Sequence, residues 1–333
     1  MTARCHRPPL RPRTGASPGG VTVHDQDPAA GVLLAGRYRL VELAGRGATA
    51  SVWRARDELL DRDVAVKQFR DRDPHDLAGA RMAARVRHPN VTAVHDVLRH
   101  GDSICLVMDY HAGTTLADLL RGGRRLPRQA VAALGLQLLS ALRAVHEAGI
   151  AHCDVKPANL LLGDDGRLTL LDFGIAELIG EDPMHPARRG GEIIGSPAYM
   201  APELVRGEAP SPAADLWSLG ATLYTALEGR PPFPQRDVAP TLAAVLHDPP
   251  SPTRRAGRLA PLLTRLLAKD PAARPSHDTV HTLLAEALPV SPALKLPAQR
   301  RTPHPESAGR EARPDPADTM PGKPVRHARD SMA

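Results

Sequence analysis

The chain has 333 residues, 42% of them hydrophobic, a formal net charge of +6 and three isolated cysteines, Cys5, Cys105 and Cys153. It can therefore bury a full core as one large or two ordinary domains. Its dispersed basic residues lack the arginine stripe with interleaved aromatics that a nucleic-acid partner calls for. The odd, unclustered cysteines suit a reducing, cytoplasmic setting. No run of 18 apolar residues suggests a membrane span, and the N-terminus lacks the apolar core of a secretory signal.

In chain order, residues 1–36 are rich in Pro, Arg and Gly and read as a disordered extension. Short β-branched and apolar runs at 38–43, 51–55, 64–69, 91–98 and 104–108 predict a five-stranded antiparallel sheet. One short helix interrupts it, starting near Asp73 and Pro74 as N-cap and first-turn proline. From Thr115 the apolar period becomes helical. Val131, Leu134, Leu138, Leu142 and Val145 mark one face of a core helix over 128–148, which Gly149 ends. Residues 289–333 are again proline- and arginine-rich and read as a disordered tail. The fold class expected is α+β.

Several short motifs fall on these elements. Gly45, Arg46 and Gly47 join the first two strands, followed by Val52; glycines there let backbone N–H groups approach phosphate oxygens without a Cβ in the way. Lys67 follows Val64, Ala65 and Val66 on an apolar strand, where a charge is costly unless something pairs with it. The chain has only five lysines (Lys67, Lys156, Lys269, Lys295 and Lys323) among 43 basic residues, a bias typical of GC-rich coding sequence. A lysine in such a chain stands out, because a compact ammonium is not interchangeable with a forked guanidinium. The run His152, Cys153, Asp154, Val155, Lys156, Pro157, Ala158, Asn159 leads into apolar Leu160, Leu161 and Leu162. A Gly163–Gly166 turn and a second apolar strand end at Asp172, Phe173 and Gly174. Carboxylates at the ends of two buried strands, with an amide nearby, make a natural Mg²⁺ site of hard oxygen donors. Ala201, Pro202 and Glu203 close the series.

In this order the motifs resemble a bacterial eukaryotic-type (Hanks-type) Ser/Thr protein kinase, over roughly residues 37–288. The resemblance implies a two-lobed fold, with a small antiparallel β-sheet lobe carrying one helix over 37–111 and a larger, mainly helical lobe over 112–288. It implies ATP and Mg²⁺ as cofactors and a protein substrate phosphorylated on Ser or Thr; the oligomeric state stays open. Carried over by position, Asp154 accepts or orients the substrate hydroxyl, and Lys156 neutralises charge on the transferring phosphate. A lysine two residues after the catalytic aspartate is the Ser/Thr form. Asn159 and Asp172 hold the metal. Gly45, Gly47, Val52, Ala65, Lys67, Asp109, His111 and Leu161 bind the nucleotide, with Met108 as gatekeeper and the backbone of Asp109 and His111 facing adenine. Ser196 stands where it can bridge Asp154 and Lys156, Glu203 is expected to pair with Arg274, and Asp215 to brace the catalytic loop.

The sequence departs from the family pattern at two places. The helix position that carries the glutamate partner of Lys67 is Gly79, and no Glu lies between Lys67 and His88; Asp76, one turn earlier, is the nearest carboxylate. Cys153 replaces the arginine that binds a phosphorylated activation loop, and residues 175–195 contain no Ser, Thr or Tyr. These departures leave two alternatives beside an active kinase. One is a nucleotide-binding pseudokinase scaffold. The other is a small-molecule phosphotransferase, which has no need of Ala201, Pro202 and Glu203.

Overall fold

The computed structural model describes residues 29–47, 50–69, 81–101, 103–172, 177–178 and 196–288. Six strands build one antiparallel sheet: β1 (Leu33–Leu34), β2 (Tyr38–Arg46), β3 (Ala50–Asp57), β4 (Arg62–Phe69), β5 (Val94–His100) and β6 (Ser103–Asp109). Their spatial order is β1-β2-β3-β4-β6-β5. The sheet thus gains one short strand over the five expected. Beta2 also runs on to Arg46 through two irregularities in register, at Leu40/Glu42 and Leu43/Gly45, which carry it past its apolar stretch into the glycine turn.

The two-residue repeat of β4 sorts its side chains between two apolar layers. Val64 and Val66 join Tyr38, Leu40, Trp53 and Val107 on one face. Ala65 and Phe69 join Ala50, Leu106 and Met108 on the other, with Val52 packed against them. Lys67 shares this second face, its ammonium 4.9 Å from the centre of the Phe69 ring.

The strand expected over 91–98 begins only at Val94. Val91 instead forms an isolated parallel bridge to Leu170. The Thr92 N–H donates to Leu170 O (3.0 Å), and the Leu170 N–H to Asn90 O (2.8 Å). The apolar run is real, but its first residues fasten the sheet lobe to the other lobe. Residues 81–83 have helical backbone; the helix start near Asp73, with Asp76 and Gly79, lies outside the described residues, as do 1–28, 173–176 and the tail from 289.

The second lobe contains α1 (Leu116–Leu119), α2 (Arg128–Glu147), α3 (Pro202–Arg206), α4 (Pro212–Glu228), α5 (Val238–His247), α6 (Ala260–Leu266) and α7 (His277–Glu286). Strands β7 (Thr114–Thr115), β9 (Leu160–Leu162) and β10 (Leu168–Leu170) form a small sheet, and β8 (Ile150–Ala151) pairs with β11 (Glu177–Leu178). Alpha2 turns its predicted stripe inward, Val131, Leu134, Leu138, Leu142 and Val145 all being buried. Gly149, at φ +76°, follows where the helix stops. Alpha4 is the central post. It opens on Pro212, which needs no N–H partner at that position, and stops at left-handed Gly229. From Ala214 to Glu228 every residue of it is buried, as in a helix enclosed by others. Trp217 stacks flat on Phe233 with centroids 5.6 Å apart. Gly220 lets α6 close in: a Cβ there would lie 2.7 Å from the Leu266 Cβ.

Candidate active site

Beta4 carries Lys67 into the space between the lobes with its side chain 9% exposed, and the ammonium forms an ion pair with the Asp172 carboxylate. Across the ladder Val52 pairs with Lys67, and Gly45 with Val52. The Gly47 N–H donates to Ala50 O (2.8 Å), closing the glycine hairpin beside the same strands. Ala65 pairs with Met108 at the end of β6. Val52, Ala65 and Met108 thus share one apolar face with the lysine, as the alternation dictates.

Below this face runs the loop that follows β8. Asp154 Oδ2 receives two donors, Lys156 Nζ at 2.7 Å and Asn159 Nδ2 at 2.8 Å. Among the described residues Oδ1 receives none. Asn159 also donates to the Asp154 carbonyl (2.8 Å), so its amide nitrogen is committed and its side-chain oxygen is left as a donor to a cation. The Leu171 N–H donates to Asn159 O (2.8 Å), which sets Asp172 next to Asn159 by backbone alone. His152, fully buried, donates from Nε2 to Leu171 O (3.1 Å) and accepts the Asp154 N–H at Nδ1 (3.3 Å).

Two non-glycine residues here occupy the left-handed region, Cys153 at φ +61° and Asp172 at φ +71°. Such conformations cost about 1–3 kcal/mol each and persist where the surroundings over-determine them. At Cys153 the surroundings are visible. Asp215, fully buried in the first turn of α4, accepts the N–H groups of His152 (2.8 Å) and Cys153 (2.9 Å) and the His146 Nε2–H (2.7 Å). Burial opposes its ionisation, but the His146 hydrogen bond and the neighbouring positive charge and amide outweigh that and hold the carboxyl below its usual range. A carboxylate near a helix N-terminus is favoured as well.

Glu203 and Arg274 form a buried fork, with Nη1–Oε1 at 2.5 Å and Nη2–Oε2 at 2.8 Å; Arg274 also donates to Ala213 O and Ala268 O. Leu161 shows the alternation of β9: Leu160 and Leu162 enter the main core, and Leu161 turns to the other side. Gly113 passes directly over it, since a Cβ there would lie 2.5 Å from Leu162 O and 3.1 Å from Leu161 Cγ. At the strand end the Asp109 N–H is taken by Ala93 O (3.0 Å), and the His111 N–H finds no acceptor among the described residues.

One expectation fails. Ser196 does not bridge Asp154 and Lys156; among the described residues its hydroxyl reaches neither, and Asp154 and Lys156 bond each other directly. Sequence reasoning also missed two histidines, His146 on Asp215 and His95 on Asp109. Neither sits in a motif, and only tertiary contact gives it a role.

A two-lobed fold with a paired lysine and aspartate between the lobes, and a carboxylate loop beneath, defines a phosphotransferase of the protein kinase class. The protein kinase domain family matches residues 38–286, and the chain belongs to that family. It is 37% identical over 254 residues to a probable serine/threonine-protein kinase of Streptomyces coelicolor, covering 72% of this chain and 38% of that protein. It is 34% identical over 307 residues to the serine/threonine-protein kinase PknA of Mycobacterium tuberculosis, covering 86% of this chain and 70% of PknA. Serine/threonine-protein kinase PknB of Mycolicibacterium smegmatis is 36% identical over 257 residues, which span 73% of this chain and 41% of PknB. The chain therefore stands with the bacterial Ser/Thr kinases, and it spans well under two thirds of the length of two of these relatives. No helix among the described residues is long and apolar enough to cross a membrane.

Proposed function

We propose that the chain is a cytoplasmic, ATP-dependent protein serine/threonine kinase, with its small lobe over residues 37–111 and its large lobe over 112–288. One observation carries the reading. The Asp154 carboxylate is gripped on one oxygen by Lys156 and Asn159 and open on the other among the described residues, and the Leu171 N–H bond to Asn159 O sets Asp172, which pairs with Lys67, alongside.

The roles follow from that arrangement. Val52, Ala65, Met108 and Leu161 supply apolar walls for the base, and the backbone of Asp109 and His111 meets its polar edge. Gly45 and Gly47 let the hairpin backbone approach the phosphates with no Cβ in the way, and Lys67 supplies a point charge to them. The side-chain oxygens of Asn159 and Asp172 suit Mg²⁺, which takes few protein ligands and completes its shell with water and substrate phosphate oxygens. When bound, the ion supplies charge neutralisation at those oxygens. Asp154 Oδ1 is the free acceptor for the hydroxyl proton of the substrate, and Lys156 offsets charge on the transferring group.

Regulation by activation-loop phosphate is not part of this reading. A phosphate orders a loop by gaining bonds to a waiting arginine. Cys153 offers none, and residues 175–195 contain no hydroxyl to modify. A second reading, a nucleotide-binding scaffold, draws on the absence of any Glu between Lys67 and His88.

Incubating the protein with γ-labelled ATP, Mg²⁺ and a generic protein acceptor separates the two. Label recovered as phosphoserine and phosphothreonine is expected. Tight nucleotide binding without transfer would select the scaffold, and dominant phosphotyrosine would overturn the role given to Lys156.

A further inference from the structure

Beta5 carries an irregularity at the end that approaches the nucleotide face. Val94 pairs with Met108 and Asp96 with Val107, so His95 is an extra residue without a partner in the ladder. A bulge of this kind bends the strand and re-aims one side chain. Here it brings His95 Nε2 to 2.6 Å from Asp109 Oδ1, on the last residue of β6. The Asp109 N–H is fastened just ahead of β5 as well, to Ala93 O at 3.0 Å. Two bonds therefore hold one residue at the point where the sheet gives way to the connection between the lobes. The next residue, Tyr110, lies under the Arg54 guanidinium (5.3 Å to the ring centre), and Arg54 is itself held by Asp63 and Glu42.

We propose that His95 is a positioning residue for nucleotide binding: through Asp109 it fixes the start of the 109–111 backbone that receives the adenine edge. The inference rests on the reading of Asp109 and His111 as adenine contacts. The His95 side chain is 20% exposed and the Asp109 side chain 38% exposed. A pair this open adds little to global stability. What it does is local. Without it the connection samples more conformations, and the apparent affinity falls by the fraction that stays competent. Lys67, Asp154 and Asp172 are on other elements, so the loss falls on binding rather than on chemistry.

The test is titration of the full chain with ATP and Mg²⁺, together with KM for ATP, kcat, and melting without nucleotide. His95→Ala is expected to raise Kd and KM about three- to tenfold, with kcat changed less than about twofold. His95→Gln, whose amide nitrogen reaches the same oxygen, restores wild-type affinity; His95→Asn, one methylene shorter, does not. Adding His95→Ala to Asp109→Ala changes nothing further, because the two act as one unit. Equal affinities for the Gln and Asn variants, or additive losses in the double variant, overturn the proposal even if Ala variants fold poorly. A wild-type chain that binds no ATP overturns the kinase reading, and this inference falls with it.

Discussion

Lys67 and Asp172 lie far apart in sequence, on different lobes, yet each is the other's ion-pair partner. In the function proposed above, phosphate is the counterpart of the lysine and metal that of the aspartate. Lys67→Ala and Asp172→Asn are therefore each expected to lower turnover by about 10²–10³ or more, the scale of losing one preorganised electrostatic contact. A steady-state assay at saturating ATP checks this, and near-normal turnover in either variant contradicts it. The residues that gather at the candidate site were legible in the sequence because each sits at fixed spacing on a short element: Lys67 by strand alternation, Asp154 and Asn159 within one tight loop. His95 and His146 were not legible. The first depends on a bulge that no local pattern announces, and the second on a buried carboxylate some 70 residues onward.

At the scale of elements, α2 followed the apolar period closely, since proline precedes it and Gly149 stands just past its end. Strand β5 did not. The β-branched and apolar residues at 91–93 satisfy a strand pattern equally well whether they pair within the sheet or with β10, and only the tertiary arrangement decides. The Glu203–Arg274 fork ties α3 to the segment before α7, with side chains 3% and 1% exposed. Removing one member leaves a buried charge unpaired, so Arg274→Ala is expected to cost about 3–5 kcal/mol in chemical denaturation. A loss under about 1 kcal/mol would mean that Glu203 finds another partner. The hairpin β2–β3 carries a pH signature. Arg37 beside Asp57, with the Leu60 and Leu59 amides, outweighs burial and holds the Asp57 carboxyl at about 2 against the usual 3.8. Its stabilisation is present above pH 3.8 and is lost as pH falls through about 2. The difference in melting temperature between wild type and Asp57→Asn is thus expected to be full at neutral pH and to shrink over that window; a difference independent of pH would contradict the assignment.

On the scale of the whole molecule, a lobe built on one sheet and a lobe built around α4 meet where Lys67, Asp154 and Asp172 converge. If no phosphate switch governs that meeting, phosphatase treatment is expected to leave the rate of the full chain unchanged. A large fall, traced by mass spectrometry to a residue between 172 and 203, would contradict this. The central claim is that Asp154 handles the substrate proton while other residues bind the nucleotide. Its most direct test is to measure ATP affinity and phosphoryl transfer together in wild type and Asp154→Asn. The wild type is expected to transfer phosphate to Ser and Thr of a protein acceptor. The variant is expected to bind ATP within about threefold of wild type while transfer falls about 10³-fold or more. Transfer retained in Asp154→Asn, or absent from a wild type that binds ATP and Mg²⁺, would contradict it.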